Sequence, residues 1–151
     1  MARNRNRPKN SVRLKKSITF VAQLDNISYL CNMEKVRYII FFKKYFTDFF
    51  EKQTQKVREK IVWTFDVIEK VKNVPEAYLK HIENTEGLYE IRVQQGSGIY
   101  RIFCFFDEGK LVVLANGFQK KTQKTPRREI DLALKIKQEY EQEKKLNKNG
   151  K

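Results

Sequence analysis

Apolar and polar positions along the chain follow two different periods, and the switches between them mark the elements. Val36 to Phe42 is β-branched and aromatic, with Arg37 near its start, which is the composition of a strand. Tyr45, Phe46, Phe49 and Phe50 then recur at helical spacing, with Lys43, Lys44, Asp48 and Glu51 around them. Val57, Ile61, Phe65, Ile68 and Val71 make a second stripe of the same kind. Both segments read as amphipathic helices whose apolar faces pack on a sheet. Asn73 to Pro75 ends the helical pattern. From Leu88 the period is two: Leu88, Glu90 and Arg92 alternate with Tyr89, Ile91 and Val93. Gln95 to Gly98 is a turn, Ile99 to Phe106 a second strand, Asp107 to Lys110 another turn, and Leu111 to Ala115 a third strand. Short turns between consecutive strands imply an antiparallel meander. Thr125 reads as an N-cap with Pro126 at the first helical position. Ile130, Ala133, Leu134 and Ile136 give a last helix its apolar face. The charged tail from about residue 141 is expected to fray. The pattern predicts an α+β fold: a small antiparallel β-sheet of about four strands packed against two N-terminal helices, plus a C-terminal helix.

The first 32 residues are a different kind of sequence. Arg3, Arg5, Arg7, Lys9, Arg13, Lys15 and Lys16 face a single acid, Asp25. The mildly apolar stretch from Ile18 to Leu30 is broken by polar residues and lacks the continuous core of a secretory signal. Three readings stay open: a basic arm that touches nucleic acid, a solvated disordered leader, or a spurious leader ahead of a true start at Met33. The coherent pattern of a folded domain begins at residue 33 and runs to 151.

Composition narrows the chemistry. The chain has 151 residues, enough for one domain, and 13% of them are aromatic, which argues for a real core. Two cysteines, Cys31 and Cys104, and one histidine, His81, are too few for a disulfide framework or a zinc cluster, so no metal and no cofactor are expected. No apolar run approaches the roughly 18 to 20 residues of a membrane span. Lys and Arg number 32 against 18 Asp and Glu, a formal charge of +14, of which +8 belongs to residues 33 to 151. The natural partner is a polyanion, and the compartment a reducing, cytoplasmic one.

Charged residues inside strands are the candidates for function. Glu90 and Arg92 are two apart and so share a face, and Arg101 lies on the next strand. Phe118, Lys120, Lys121, Lys124, Arg127 and Arg128 follow the third strand. Cations and rings on one concave face suit single-stranded nucleic acid, phosphates on the cations and bases on the rings. The plainer readings are an exposed cross-strand ion pair and a solvated basic loop. His81 reads as surface, Cys104 as core and Trp63 as packing.

Three stretches then resemble a known family: Gly87 to Val93 (GLYEIRV), Tyr100 to Phe103 (YRIF) and Val113 to Pro126 (VLANGFQKKTQKTP), with Glu129, Ile130 and Ala133 continuing into the last helix. Together they resemble the RelE/ParE superfamily of type II toxins, in the HigB-like, phage-derived branch, over residues 33 to 140. The resemblance implies a ribosome-dependent mRNA interferase, a metal-independent endoribonuclease in which a ribose 2′-hydroxyl attacks the adjacent phosphate and leaves a 2′,3′-cyclic phosphate. It implies Arg101 as the phosphate clamp, Arg92 beside it, and Glu90 as general base or as orienter of the arginines. Lys124, like Lys121 or a water, would protonate the leaving group. Phe118, Lys120, Lys121, Arg127 and Arg128 would bind RNA. The implied partners are mRNA on the ribosome, a helix-turn-helix antitoxin and, through that complex, operator DNA. Two alternatives remain: an inactive RNA- or antitoxin-binding module of the same fold, and a toxin that poisons gyrase.

Overall fold

The computed structural model describes residues 32–150; the basic leader through Cys31 lies outside the described residues. The elements in chain order are β1 (Tyr38–Phe41), α1 (Tyr45–Glu51), α2 (Gln55–Lys70), β2 (Leu79–His81), β3 (Leu88–Gln95), β4 (Gly98–Asp107), β5 (Leu111–Gln119) and α3 (Arg127–Asn149). The strands form one five-stranded sheet in the order β1-β5-β4-β3-β2.

The α+β class and the β3–β4–β5 meander match the pattern in the sequence, and the sheet differs from it in two ways. It has five strands in place of about four, because Leu79–His81 pairs with β3 as an edge strand. It is mixed in place of antiparallel, because β1 runs parallel to β5, Tyr38 opposite Leu111 through Phe41 opposite Leu114. The α1–α2 segment carries the chain away from β1, and the meander then returns to its side. Arg37 stands just before β1, and its guanidinium donates to the carbonyls of Ile68, Val71 and Lys72 at the end of α2. A cation there satisfies carbonyls that the helix leaves open and meets the negative end of its dipole. The Glu69 carboxylate accepts from the Ile39 amide at 3.0 Å, so the end of α2 and the start of β1 hold each other.

Strand alternation divides the core into two layers. Ile91, Val93, Ile102, Cys104, Val112 and Leu114 pack against Phe46 of α1 and Val57, Ile61, Phe65 and Ile68 of α2. Leu88, Phe103 and Ala115 on the opposite face pack against Ala133 and Ile136 of α3. Cys104 is fully buried, and burial pushes its thiol far up. His81 is exposed, its ring edge-on to Tyr89.

Two further expectations are corrected. Pro126 and not Thr125 occupies the N-cap position of α3, with no side-chain cap bond. The segment from 141, expected to fray, is part of α3, which continues to Asn149. The reason is long-range. Lys144 donates to Asp107 Oδ1 at 2.6 Å and Oδ2 at 2.7 Å and to Glu108 at 2.9 Å, and the Tyr140 hydroxyl donates to Asp107 at 2.7 Å. One turn of α3 earlier, Glu139 accepts from Lys43 and Tyr45. Burial acts to raise the Asp107 carboxyl, but the bonds from Lys144 and Tyr140 outweigh it and hold the group below its ordinary value. A depressed native value contributes stability that is complete above about pH 4 and is lost as pH falls through that native value. Melting curves between pH 5 and pH 2 should therefore show Asp107→Asn losing less stability on acidification than the parent. Parallel curves would contradict the role given to this cluster. Among the described residues no helix is long and apolar enough to cross a membrane.

Candidate functional site

Cross-strand register brings the charged strand residues together. Arg92 lies directly opposite Arg101, and Glu90 opposite Phe103. Two like charges facing each other across a ladder repel. Glu90 relieves this: its Oε1 is 3.5 Å from Arg92 Nε and its Oε2 is 3.7 Å from Arg101 Nε. The carboxylate is a wedge between two guanidinium groups, with its side chain 12% exposed. Arg101 is only 6% exposed. Burial pulls the Arg101 guanidinium below its ordinary value, Glu90 opposes that shift and Arg92 adds to it. An arginine so placed is still a cation. Its Nη1 donates to the Tyr100 carbonyl at 3.0 Å, while its Nε has no hydrogen-bond partner. Among the described residues Arg92 Nε likewise has no hydrogen-bond partner, and its Nη1 reaches the Glu76 carbonyl at 3.3 Å. Both Nε groups face Glu90 at ion-pair rather than hydrogen-bond distance, so one carboxylate only partly compensates two guanidinium charges.

Two open clefts meet at Arg101. The first lies where β3 runs on past β2, and is lined by Lys60 and Thr64 of α2, Tyr78, and Arg92, Gln94 and Arg101. The second is lined by Arg101, Gln119, Lys120, Lys121 and Thr122, with Ser97 of the hairpin turn. Among the described residues no carboxylate lines either cleft. The charged groups that these clefts present are therefore all cationic, while Glu90, which balances the arginines, lines neither.

The expected site residues divide accordingly. Glu90, Arg92 and Arg101 form one group, and Lys120 and Lys121 join Arg101 in the second cleft. Lys124, Arg127 and Arg128 line neither cleft. Arg127 pairs with Asp131 at 2.9 Å and Arg128 with Glu129 at 3.5 Å, both on the exposed start of α3. Phe118 lies in β5, which extends to Gln119 and not only to Ala115, and sits opposite Arg101. Its ring packs on Phe103 at 5.4 Å, in the layer under α3.

Four supporting residues were given no role by the sequence reading, although Asn116 and Gly117 lie within the Val113 to Pro126 stretch. Between the Ile102–Gly117 and Cys104–Leu114 pairs β5 carries one residue more than β4, a bulge that turns Asn116 inward. Asn116 Nδ2 donates to the Glu129 carbonyl at 3.2 Å and its carboxylate at 3.0 Å, tying the start of α3 to the sheet. The loop 120–126 is thus pinned at its far end by Asn116 and at its near end by the Lys120 amide, which donates to the Ile99 carbonyl at 2.7 Å. An asparagine inside an apolar strand was the available signal. Gly117 follows, where any Cβ would lie 2.7 and 2.8 Å from Phe49 ring carbons. Gly117→Ala must displace that ring or the strand leading to Phe118 and Lys120, at about 1 to 3 kcal/mol by the usual cost of overpacking. Denaturant unfolding should show the loss, and an unchanged midpoint would mean the ring moves freely. Lys60 and Tyr78, on the wall of the first cleft, were the other omissions.

The sequence pattern of the family described as Phage derived protein Gp49-like (DUF891) matches residues 48–138. That stretch begins within α1, includes the lining of both clefts and ends on α3. No curated protein matches the chain. The matched stretch is more than half of the sequence, and the chain belongs to the phage-derived Gp49-like family, a RelE-like family associated with toxin–antitoxin systems.

Proposed function

We propose that this protein is the toxin of a type II toxin–antitoxin pair of the HigB-like branch of the RelE/ParE superfamily, and a ribosome-dependent mRNA interferase. The observation that carries the reading is the buried Arg101 guanidinium, held by Glu90 only at 3.7 Å, at the junction of two clefts lined by cations without acids. A scissile phosphate at that junction supplies a second anion for two guanidinium groups that share the single carboxylate of Glu90. Arg101 and Arg92 stabilise the charge that grows on the phosphate oxygens as the 2′-hydroxyl attacks in line. Glu90 lines neither cleft and both its oxygens face the arginines, which favours positioning over proton abstraction. The 2′ proton then passes to water. Lys121, which lines the second cleft, is better placed than Lys124 to protonate the leaving 5′-oxygen. The P–O5′ bond breaks as the new P–O2′ bond forms, giving a 2′,3′-cyclic phosphate and a 5′-hydroxyl without metal or cofactor. Lys120 and Lys121 hold the flanking backbone. Such a toxin works in the cytoplasm, where translating ribosomes are, and a helix-turn-helix antitoxin holds it silent and carries the pair to operator DNA.

Brief induction of the full chain in cells without antitoxin, followed by mapping of new mRNA 5′ ends, tests this. In-frame ends bearing 5′-hydroxyls are expected. Growth arrest with intact mRNA and damaged DNA would move the reading to gyrase. Unaffected growth with no new ends would move it to a binding module.

A further inference from the structure

The first cleft has a wall that the cleavage chemistry does not use. Lys60 and Trp63 are three apart on α2 and so share a face. The Lys60 ammonium sits 3.9 Å from the centroid of the Trp63 ring. Trp63 in turn meets Tyr78 edge to face, centroids 5.5 Å apart and planes at 69°. The Tyr78 carbonyl accepts from the Arg92 amide at 2.8 Å, which fixes this aromatic pair to the strand that carries the site. Lys60 and Tyr78 line the cleft, and Arg92 and Arg101 form its other side. Among the described residues no carboxylate lies within ion-pair distance of Lys60; Asp66 on the same helix pairs with Lys70. A cation held in place by a ring, beside a second ring fixed on the backbone, is the arrangement that binds a phosphate and an adjoining base. This cleft takes in Arg92 to Gln94 of β3, and the one lined by Lys120 and Lys121 takes in the end of β5; β3 and β5 flank β4, which carries Arg101, on opposite sides.

We infer that Lys60 and Tyr78, braced by Trp63, form a second single-stranded RNA subsite that holds the nucleotide on the side of the scissile phosphate away from Lys120. The inference rests on the cleavage reading above and assigns each flank of the RNA to its own wall. Lys60 takes a backbone phosphate, and Tyr78 stacks on the neighbouring base. Trp63 stays behind them as a brace.

The test is binding of the full chain, at low salt, to short single-stranded RNAs that carry a 2′-O-methyl group at the scissile position. Each RNA is made with both flanks, or with the 5′ or the 3′ flank removed. Lys60→Gln should weaken binding to the full RNA several-fold and lower the salt slope by about one. Tyr78→Ala should weaken it about tenfold, and Tyr78→Phe, which keeps the ring, should weaken it far less. Removal of one particular flank should erase the Lys60→Gln and Tyr78→Ala effects together, and removal of the other should erase the Lys120→Ala effect. The inference is overturned if Lys60→Gln is silent while Arg101→Ala and Lys120→Ala weaken binding, or if its effect survives on both shortened RNAs. It is also overturned if Lys60→Gln impairs only association with ribosomes, because the wall would then face another surface. If the parent protein binds none of the RNAs, the subsite inference is overturned, and the cleavage reading falls with it only if induction of the parent also yields no new mRNA 5′ ends.

Discussion

Arg101→Ala should lower mRNA cleavage about 100- to 1000-fold, the usual cost of removing one preorganised donor from a charge-stabilising site. The protein should stay folded. Arg101 is buried opposite a like charge, and burial is the leading influence on its guanidinium, acting against the charged form. Its partner bonds are few: one carbonyl at 3.0 Å and a loose contact to Glu90 at 3.7 Å. Removing it leaves Glu90 with Arg92 at 3.5 Å. The melting temperature is therefore expected to hold or rise while activity collapses, the pattern of a residue kept for function at some cost to stability. Arg101→Lys should recover little, because an ammonium at the end of a flexible stem lacks the planar fork that can meet two phosphate oxygens at once. Mapping of 5′ ends together with a thermal melt reads both halves. An Arg101→Ala protein that melts normally and still cuts mRNA at the parent rate would remove the central residue of the proposed site.

What was legible in the sequence was whatever depends on neighbours in the chain. Period-two alternation from Leu88 and the two short turns place Glu90, Arg92 and Arg101 on one face, and the register bears that out. The stripes over Phe46 to Val71 mark helices that do pack on the sheet. What escaped depends on distant partners. Leu79–His81 is three residues long and is a strand only because β3 pairs with it. The parallel direction of β1 follows from the return of β5 seventy residues later. The last turns of α3 look too charged to order themselves, and Asp107 and Glu108 at the β4–β5 turn hold them. The site was legible in the same proportion. Its strand residues follow from alternation. Lys124, Arg127 and Arg128 were grouped with the site because they are basic and near in sequence; none of them lines either cleft, and Arg127 and Arg128 pair with Asp131 and Glu129. Lys60 was hidden because a lysine on an amphipathic helix looks like ordinary solvated surface until Trp63 and Tyr78 are seen beside it.

Glu90 is the residue whose loss should be felt twice. Taking away one member of a buried ion cluster strands the charges it balanced, at about 3 kcal/mol or somewhat more in comparable sites. Glu90→Ala leaves Arg92 and Arg101 opposed with nothing between them, and a stability loss of that order is expected by denaturant unfolding. Arg92 is the more exposed of the two, and swinging it into solvent would recover part of the loss. The double variant Glu90→Ala with Arg92→Ala should accordingly be more stable than Glu90→Ala alone, since it removes the repulsion along with the carboxylate. Activity separates positioning from proton abstraction. Glu90→Gln keeps the shape and some hydrogen bonding but gives up the charge. If the carboxylate only holds the arginines, cleavage should fall by about tenfold or less and the rate should keep its dependence on pH. A general base is worth about 100- to 10,000-fold, and its removal would abolish the rising acid limb of the pH–rate profile. A loss in that range, with the limb gone, would return the base to Glu90. A small loss with the limb intact would leave the site a purely cationic one, in which two arginines held apart by a carboxylate await the phosphate that completes them.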